Sequence, residues 1–365
     1  MAGRTTSVSH DLRARLGRSF FMIGRGLLCF VASVVSGACD DGGRSRVPDT
    51  ISGTEGRRAA ELRVPWTTRK LSGAPERFRP GGWSDENTLW GLVRERVTSV
   101  DVRTGAMREF PHAAWWVQGG AGVATWRNER GLFVLRDSAT PVRLPFDPQV
   151  APSVLWSPDA TRAVLTFEDE AGGKFALLNA DGSTRPLIAR IPGYYYDSPV
   201  LWLDSTLVLF QTVAMGPIRG PPSYRESGWR GDLAVLNVSS AEYRRVTEVT
   251  DGVYLRVAGR YLDDVLVTEW GQGRVLAQAT YDPRTWSRRP TSLPTGRGFA
   301  SVAGAVVVLL HPEPDTTTAV LVAGGDTTIL GVAARDAEPV FSPSGRIGAL
   351  RTSEGVWLFE RSRQR

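Results

Sequence analysis

The 365-residue chain has almost no lysine, histidine or cysteine. Lys70 and Lys174 are the only lysines among 44 basic residues, so positive charge is carried by arginine. Lysine serves equally well on a solvated surface, so the bias reads as genome composition. The three histidines are His10, His112 and His311, and none has an acidic or cysteine partner at ligand spacing. No metal site and no cofactor are therefore expected. A serine-histidine-aspartate site would have to recruit one of these scattered histidines, and no G-x-S-x-G elbow, Walker loop or zinc signature occurs. No apolar run approaches the roughly 20 residues that span a bilayer as a helix. With 42% hydrophobic and 22% charged residues, the chain nonetheless has ample material for a folded core.

The longest apolar run, Leu27 to Ala38, follows a basic stretch ending at Arg25. Twelve helical residues rise about 18 Å against a hydrocarbon core of about 30 Å, so the run reads as a cleavable export signal over residues 1–38. Either Met1 or the internal Met22 could start it. Val35-Ser36-Gly37-Ala38-Cys39 resembles a bacterial lipobox, which implies a diacylglycerol on Cys39 and hence membrane attachment. Cys29 lies within the signal, so Cys39 is the one cysteine of the mature chain and no internal disulfide is expected.

The signal also explains the charge. It holds five arginines against one acid, so of 44 basic and 38 acidic residues, 39 and 37 remain beyond it, a net of +2 rather than +6. Nucleic acid is a poor partner for a nearly neutral exported chain. Residues 39–57 carry glycine, serine, proline and charge without apolar periodicity. They read as a flexible tether with an end-to-end distance near 25 Å.

Residues 58–361 alternate short apolar stretches with turn signals and show no sustained helical period, so the domain is expected to be all-β. One unit recurs: an apolar strand, a turn rich in Asp, Gly, Ser or Pro, and a second strand. The first strands end near Val102, Leu135, Leu178, Leu236, Tyr281, Val322 and Leu358. Upstream stands an aromatic followed by a turn, as in Trp83-Ser84-Asp85-Glu86, Trp156-Ser157-Pro158-Asp159, Trp202-Leu203-Asp204-Ser205 and Phe341-Ser342-Pro343-Ser344. This spacing fits the four-stranded blades of a β-propeller, with seven blades expected and six the alternative. The last unit lacks its outer strand, and residues 61–68 are the expected replacement, closing the ring with an N-terminal strand.

Leu155-Trp156-Ser157-Pro158-Asp159, Ala163-Val164-Leu165-Thr166-Phe167 and Leu178-Asn179-Ala180-Asp181-Gly182 together resemble one repeat of the TolB-like, WD-type β-propeller family. Pro339-Val340-Phe341-Ser342-Pro343-Ser344-Gly345 resembles another. The resemblance implies the fold and leaves the function open.

Binding residues are expected on loops. The segment from Thr212 to Asp232 reads as an inserted loop, with Arg219, Tyr224, Arg225, Trp229 and Arg230 as residue types that dominate protein interfaces. Tyr194, Tyr195 and Tyr196 read as aromatics on a connection between units. Trp83, Trp156 and Trp202 are expected to pack between blades, and Trp115-Trp116 to put one ring in a sheet interface and leave the other for a channel or another sheet face. The carboxylates of Glu168-Asp169-Glu170 and Asp263-Asp264 fall at strand ends, where solvated acids are ordinary. The expected role is a protein-interaction or assembly module with an envelope protein partner. The alternative is an enzyme or a carbohydrate- or small-ligand-binding protein with its site at the channel mouth. A rim of arginines and apolar groups would favour the first, and converging carboxylates the second.

Overall fold

The computed structural model describes residues 65–362 apart from 76, 121, 137–139, 145–152, 170–171, 180–182, 190–193, 216–228, 251, 272–273, 314–315, 324–325 and 335–336. The expected signal, Cys39 and the tether lie outside the described residues, as does the Asp181-Gly182 turn.

The described residues form strands and no helix. After β1 (Trp66–Lys70), the chain runs through six antiparallel groups of four strands. Group one is β2 (Arg79–Trp83), β3 (Thr88–Val93), β4 (Arg96–Asp101) and β5 (Met107–Ala113). Group two is β6 (Trp116–Gly120), β7 (Val123–Asn128), β8 (Gly131–Arg136) and β9 (Val142–Arg143). Group three is β10 (Ser153–Trp156), β11 (Arg162–Asp169), β12 (Gly172–Asn179) and β13 (Thr184–Ala189). Group four is β14 (Tyr194–Trp202), β15 (Leu207–Met215), β16 (Trp229–Asn237) and β17 (Glu242–Arg245). Group five is β18 (Val253–Tyr261), β19 (Asp264–Gly271), β20 (Arg274–Tyr281) and β21 (Arg288–Pro290). Group six is β22 (Arg297–Ala300), β23 (Ala305–Glu313), β24 (Thr316–Ala323) and β25 (Asp326–Val332). The remaining strands β26 (Val340–Phe341), β27 (Ile347–Thr352) and β28 (Gly355–Arg361) form a sheet whose fourth strand is β1, paired with β28 from Trp66↔Arg361 to Lys70↔Trp357.

Strand alternation builds the core between neighbouring groups. In group three, Ala163, Leu165, Ala176 and Leu178 pack against Val123, Leu132 and Val134 of group two. The intervening Val164, Phe175 and Leu177 pack against Trp202, Val208 and Phe210 of group four. Each sheet is thus apolar on both faces, which is why its strands read as nearly continuous hydrophobic runs.

The three repeated tryptophans do pack between groups, and each indole N–H reaches back one group. Trp156 donates to Thr125 Oγ1 at 2.7 Å, Trp202 to the Leu155 carbonyl at 3.1 Å, and Trp83 to the Val340 carbonyl at 3.1 Å. Arginines fix two of the same rings from outside. The Arg136 guanidinium stacks 4.9 Å over Trp156 and donates to the Ala160 carbonyl, and Arg162 lies 5.8 Å over Trp202 and donates to the Ser205 carbonyl. A planar fork stacks and donates at once more readily than lysine's point charge, so at these two positions arginine also has a structural role.

The turns after these tryptophans are held by acids. Asp204 Oδ1 accepts from the backbone N–H of Thr206 and Leu207 at 2.6 and 2.8 Å, and Asp85 Oδ1 does the same for Asn87 and Thr88. The Ser157 hydroxyl donates to Asp159 at 2.6 Å and, with the Thr161 N–H, holds its carboxyl below the usual range. In the seventh group Ser344 stands where Asp159 would, and the missing acid comes from the first group. Glu86 accepts from the hydroxyls of Ser342 and Ser344 and from the Ser344 N–H, each at 2.8 Å. Replacing Glu86 by alanine leaves those donors unmatched. Chemical denaturation is expected to show a loss of about 2 kcal/mol, set by three charge-assisted hydrogen bonds on a partly exposed group.

The hairpin between β3 and β4 works against its own residues. Arg94 and Glu95 have φ of +47° and +65°, the two left-handed positions of a primed two-residue turn. Both side chains are exposed, so the double variant Arg94→Asn, Glu95→Gly relieves strain without loss of packing. It is expected to gain about 1 kcal/mol, a rise of about 2 °C in melting temperature.

Candidate functional site at the starts of the inner strands

Arg219, Tyr224 and Arg225 lie outside the described residues. Trp229 and Arg230 are strand residues that open β16 and pair with Met215 and Ala214. The expected insertion is therefore narrower than Thr212 to Asp232, because the β15–β16 ladder continues through nine pairs before the chain departs at 216–228. Tyr194, Tyr195 and Tyr196 likewise open β14 instead of lying on a connection. Tyr194 pairs with Ala214 and Tyr196 with Val213, the ladder having extended to meet the long β15. Trp115 precedes β6 and Trp116 opens it, and neither ring is the buried one expected in a sheet interface. They are 36% and 37% exposed, with the Arg127 guanidinium 5.6 Å from the Trp115 ring.

Of the carboxylate clusters, Glu170 lies outside the described residues. Asp264 accepts from Arg289 at 3.1 Å, and Glu168 and Asp169 close β11. Of the histidines, His112 stacks on Trp126 with ring centroids 5.4 Å apart. His311 Nδ1 lies 3.0 Å from Thr317 Oγ1. No group of three metal-ligating side chains occurs among the described residues.

What the fold does bring together is two arginines and one glutamate. Because every group repeats the same meander, all inner strands begin at one face. Near those beginnings stand Trp115 and Trp116 of group two, Tyr254 and Arg256 of group five, and Arg297 of group six. Glu338 lies on the coil leading into β26. Arg256 Nη2 lies 3.2 Å from Glu338 Oε1, and Arg297 Nη2 pairs with the same oxygen. The two guanidiniums are largely buried, at 19% and 16% side-chain exposure, whereas Glu338 is 47% exposed. Arg297 also lies 4.8 Å over the Phe299 ring, and its Nε is buried without a hydrogen-bond partner.

Neighbouring groups feel this charge. Burial lowers the pKa of His311, and Arg297 lowers it further, so its imidazole favours the neutral form. Burial raises the Tyr254 hydroxyl while Arg297 opposes the shift, and the Tyr254 ring stacks on Trp270 at 6.1 Å. The arrangement can hold an anion between two guanidiniums beside aromatic surface. Arg256, Arg297 and Glu338 were not among the residues expected from sequence. The available signal was their even placement, one repeat apart each time, which alternation within a single strand does not reveal.

No family model and no curated protein sequence matches the chain. Solved structures do. An oligogalacturonate lyase in complex with manganese aligns at a TM-score of 0.60 and 9% identity, covering 82% of this chain and 96% of that one. The tricorn protease aligns at 0.54 and 11% identity over 82% of this chain and 34% of its own, so this chain spans about a third of that protein. TolB from Acinetobacter baumannii aligns at 0.45 and 14% identity, covering 87% and 84%. At such identities a likeness speaks for architecture alone, and with the four-stranded meanders it establishes that this chain folds as a β-propeller.

Proposed function

We propose that the chain is a membrane-tethered, extracytoplasmic β-propeller lipoprotein that acts as a protein-interaction or assembly module. In this reading, seven blades close through β1, residues 39–57 link the propeller to a lipidated Cys39, and the inner-strand face meets an envelope protein. The observation that carries it is the composition of that face. Near the starts of the first strands stand the arginines Arg256 and Arg297 and the aromatics Trp115, Trp116 and Tyr254, the residue types that dominate interfaces.

Cross-linking in envelope membranes followed by pull-down of the tagged full chain tests the reading. The wild type is expected to recover a discrete partner, and Trp115→Ala with Trp116→Ala to recover much less. Cys39→Ser is expected to move the protein from the membrane to the soluble fraction. Unchanged capture by the tryptophan variant would count against the face, and an unmoved Cys39→Ser protein against the anchor. The half-exposed tryptophan pair is also what favours a carbohydrate-binding alternative, since flat rings exposed on a rim stack on sugars as readily as on peptide.

A further inference from the structure

We infer that Arg256 and Arg297 form a receptor for a partner's glutamate or aspartate side chain, and that Glu338 occupies it in the free protein. The inference rests on the protein-interaction reading and names the partner's chemistry, an acidic peptide segment. Three features carry it. The two guanidiniums come from different sheets, one from β18 and one from β22, and meet on a single carboxylate oxygen. Among the described residues one carboxylate faces two largely buried arginines, an excess of positive charge, and the buried Nε of Arg297 remains an unused donor.

Glu338, by contrast, belongs to no strand and is half-exposed, so it can leave the site without breaking a ladder. An internal group that must be displaced weakens every incoming ligand by the fraction of time it holds the site. The bound group is itself a glutamate side chain, which shows that a carboxylate of peptide geometry fits between the two forks. The Phe299 ring, beneath the Arg297 guanidinium, bounds the site with apolar surface.

The test uses the full chain and a fluorescein-labelled hexaglutamate peptide, read by anisotropy at low salt. Wild type is expected to bind weakly, with affinity falling as salt rises. Glu338→Gln is expected to bind about tenfold more tightly, because the internal competitor is gone. Arg256→Gln combined with Glu338→Gln is expected to lose that gain, and Arg256→Lys to recover part of it; melting curves confirm that each variant is folded. Binding unaltered by Glu338→Gln, or retained when Arg256 and Arg297 are both glutamine, would overturn the inference. So would binding of digalacturonate without binding of hexaglutamate, which would assign the site to sugar acids. Partner capture that persists in the double-arginine variant overturns this site while leaving the interaction module standing, so the two ideas fail separately.

Discussion

A chain lacking residues 58–72 is expected to lose its cooperative melting transition, although most of the described side chains removed are exposed. The reason lies in what β1 covers and joins. Its five pairs to β28 occupy what would otherwise be a bare edge beside Phe359, which is fully buried and contacts the Trp66 ring at 6.3 Å. Beyond β1, the Leu71 N–H donates to the Val356 carbonyl at 2.8 Å and its side chain is buried in the cluster that unites Trp83, Leu89 and Val100 of the first group with Val356 and Leu358 of the last. Arg69 Nη2 donates to the Val102 carbonyl of the first group at 2.7 Å while Arg69 itself pairs with Leu358. Burying one leucine and part of a tryptophan, with the hydrogen bonds lost, amounts to about 5 kcal/mol, comparable to the whole stability of an ordinary domain. Circular dichroism on heating decides the matter. A truncated chain that melts like the wild type would show that β1 is a decoration on an already closed structure.

The repeat was legible because each blade buries both faces of its sheet. Apolar strands ending near Val102, Leu135, Leu178, Leu236, Tyr281, Val322 and Leu358 mark the third strand of every group, and the aromatic at Trp83, Trp156, Trp202 and Phe341 marks the end of the first. What escaped notice depends on contacts between repeats. Gly81, Gly82 and Gly119 look like turn residues, yet all three lie in inner strands. A Cβ on Gly119 would stand 2.6 Å from the Trp83 nitrogen, and one on Gly82, at φ +154°, 2.5 Å from the Gly119 nitrogen, because the β2 and β6 backbones touch there. Ring geometry dictates such glycines, and local pattern does not. The Arg256, Arg297 and Glu338 cluster is hidden for the same reason, since each residue alone reads as a solvated charge.

Asp232 should be the costliest of the buried acids and hydroxyls to remove, and it sits where the sequence suggested the end of a binding loop. Its carboxylate has no solvent exposure. It accepts from the Val249 N–H at 2.9 Å, from Thr247 Oγ1 at 3.2 Å and from Arg245 Nη1 at 3.5 Å, with Arg230 Nε 4.0 Å away. Thr247 Oγ1 in turn accepts from the Leu233 N–H at 2.8 Å. One carboxylate thus fastens the connection after β17 onto β16. Next to it, Gly231 meets Tyr254 in the single parallel bridge that joins groups four and five into one sheet. Alanine at 232 strands a backbone donor and a hydroxyl and takes from Arg245 one of its two carboxylates, Glu248 staying at 3.2 Å. The expected loss is about 3 kcal/mol, at the lower bound for breaking a buried pair because Arg245 keeps some solvent. Asparagine keeps an acceptor for Val249 and Thr247 and gives up only the charge, so about 1 kcal/mol is expected. Urea unfolding of both variants measures the difference. Asp232 acts as an architectural anchor if partner capture survives wherever folding survives. Capture lost by a fully stable Asp232→Asn protein would instead return the residue to the binding surface.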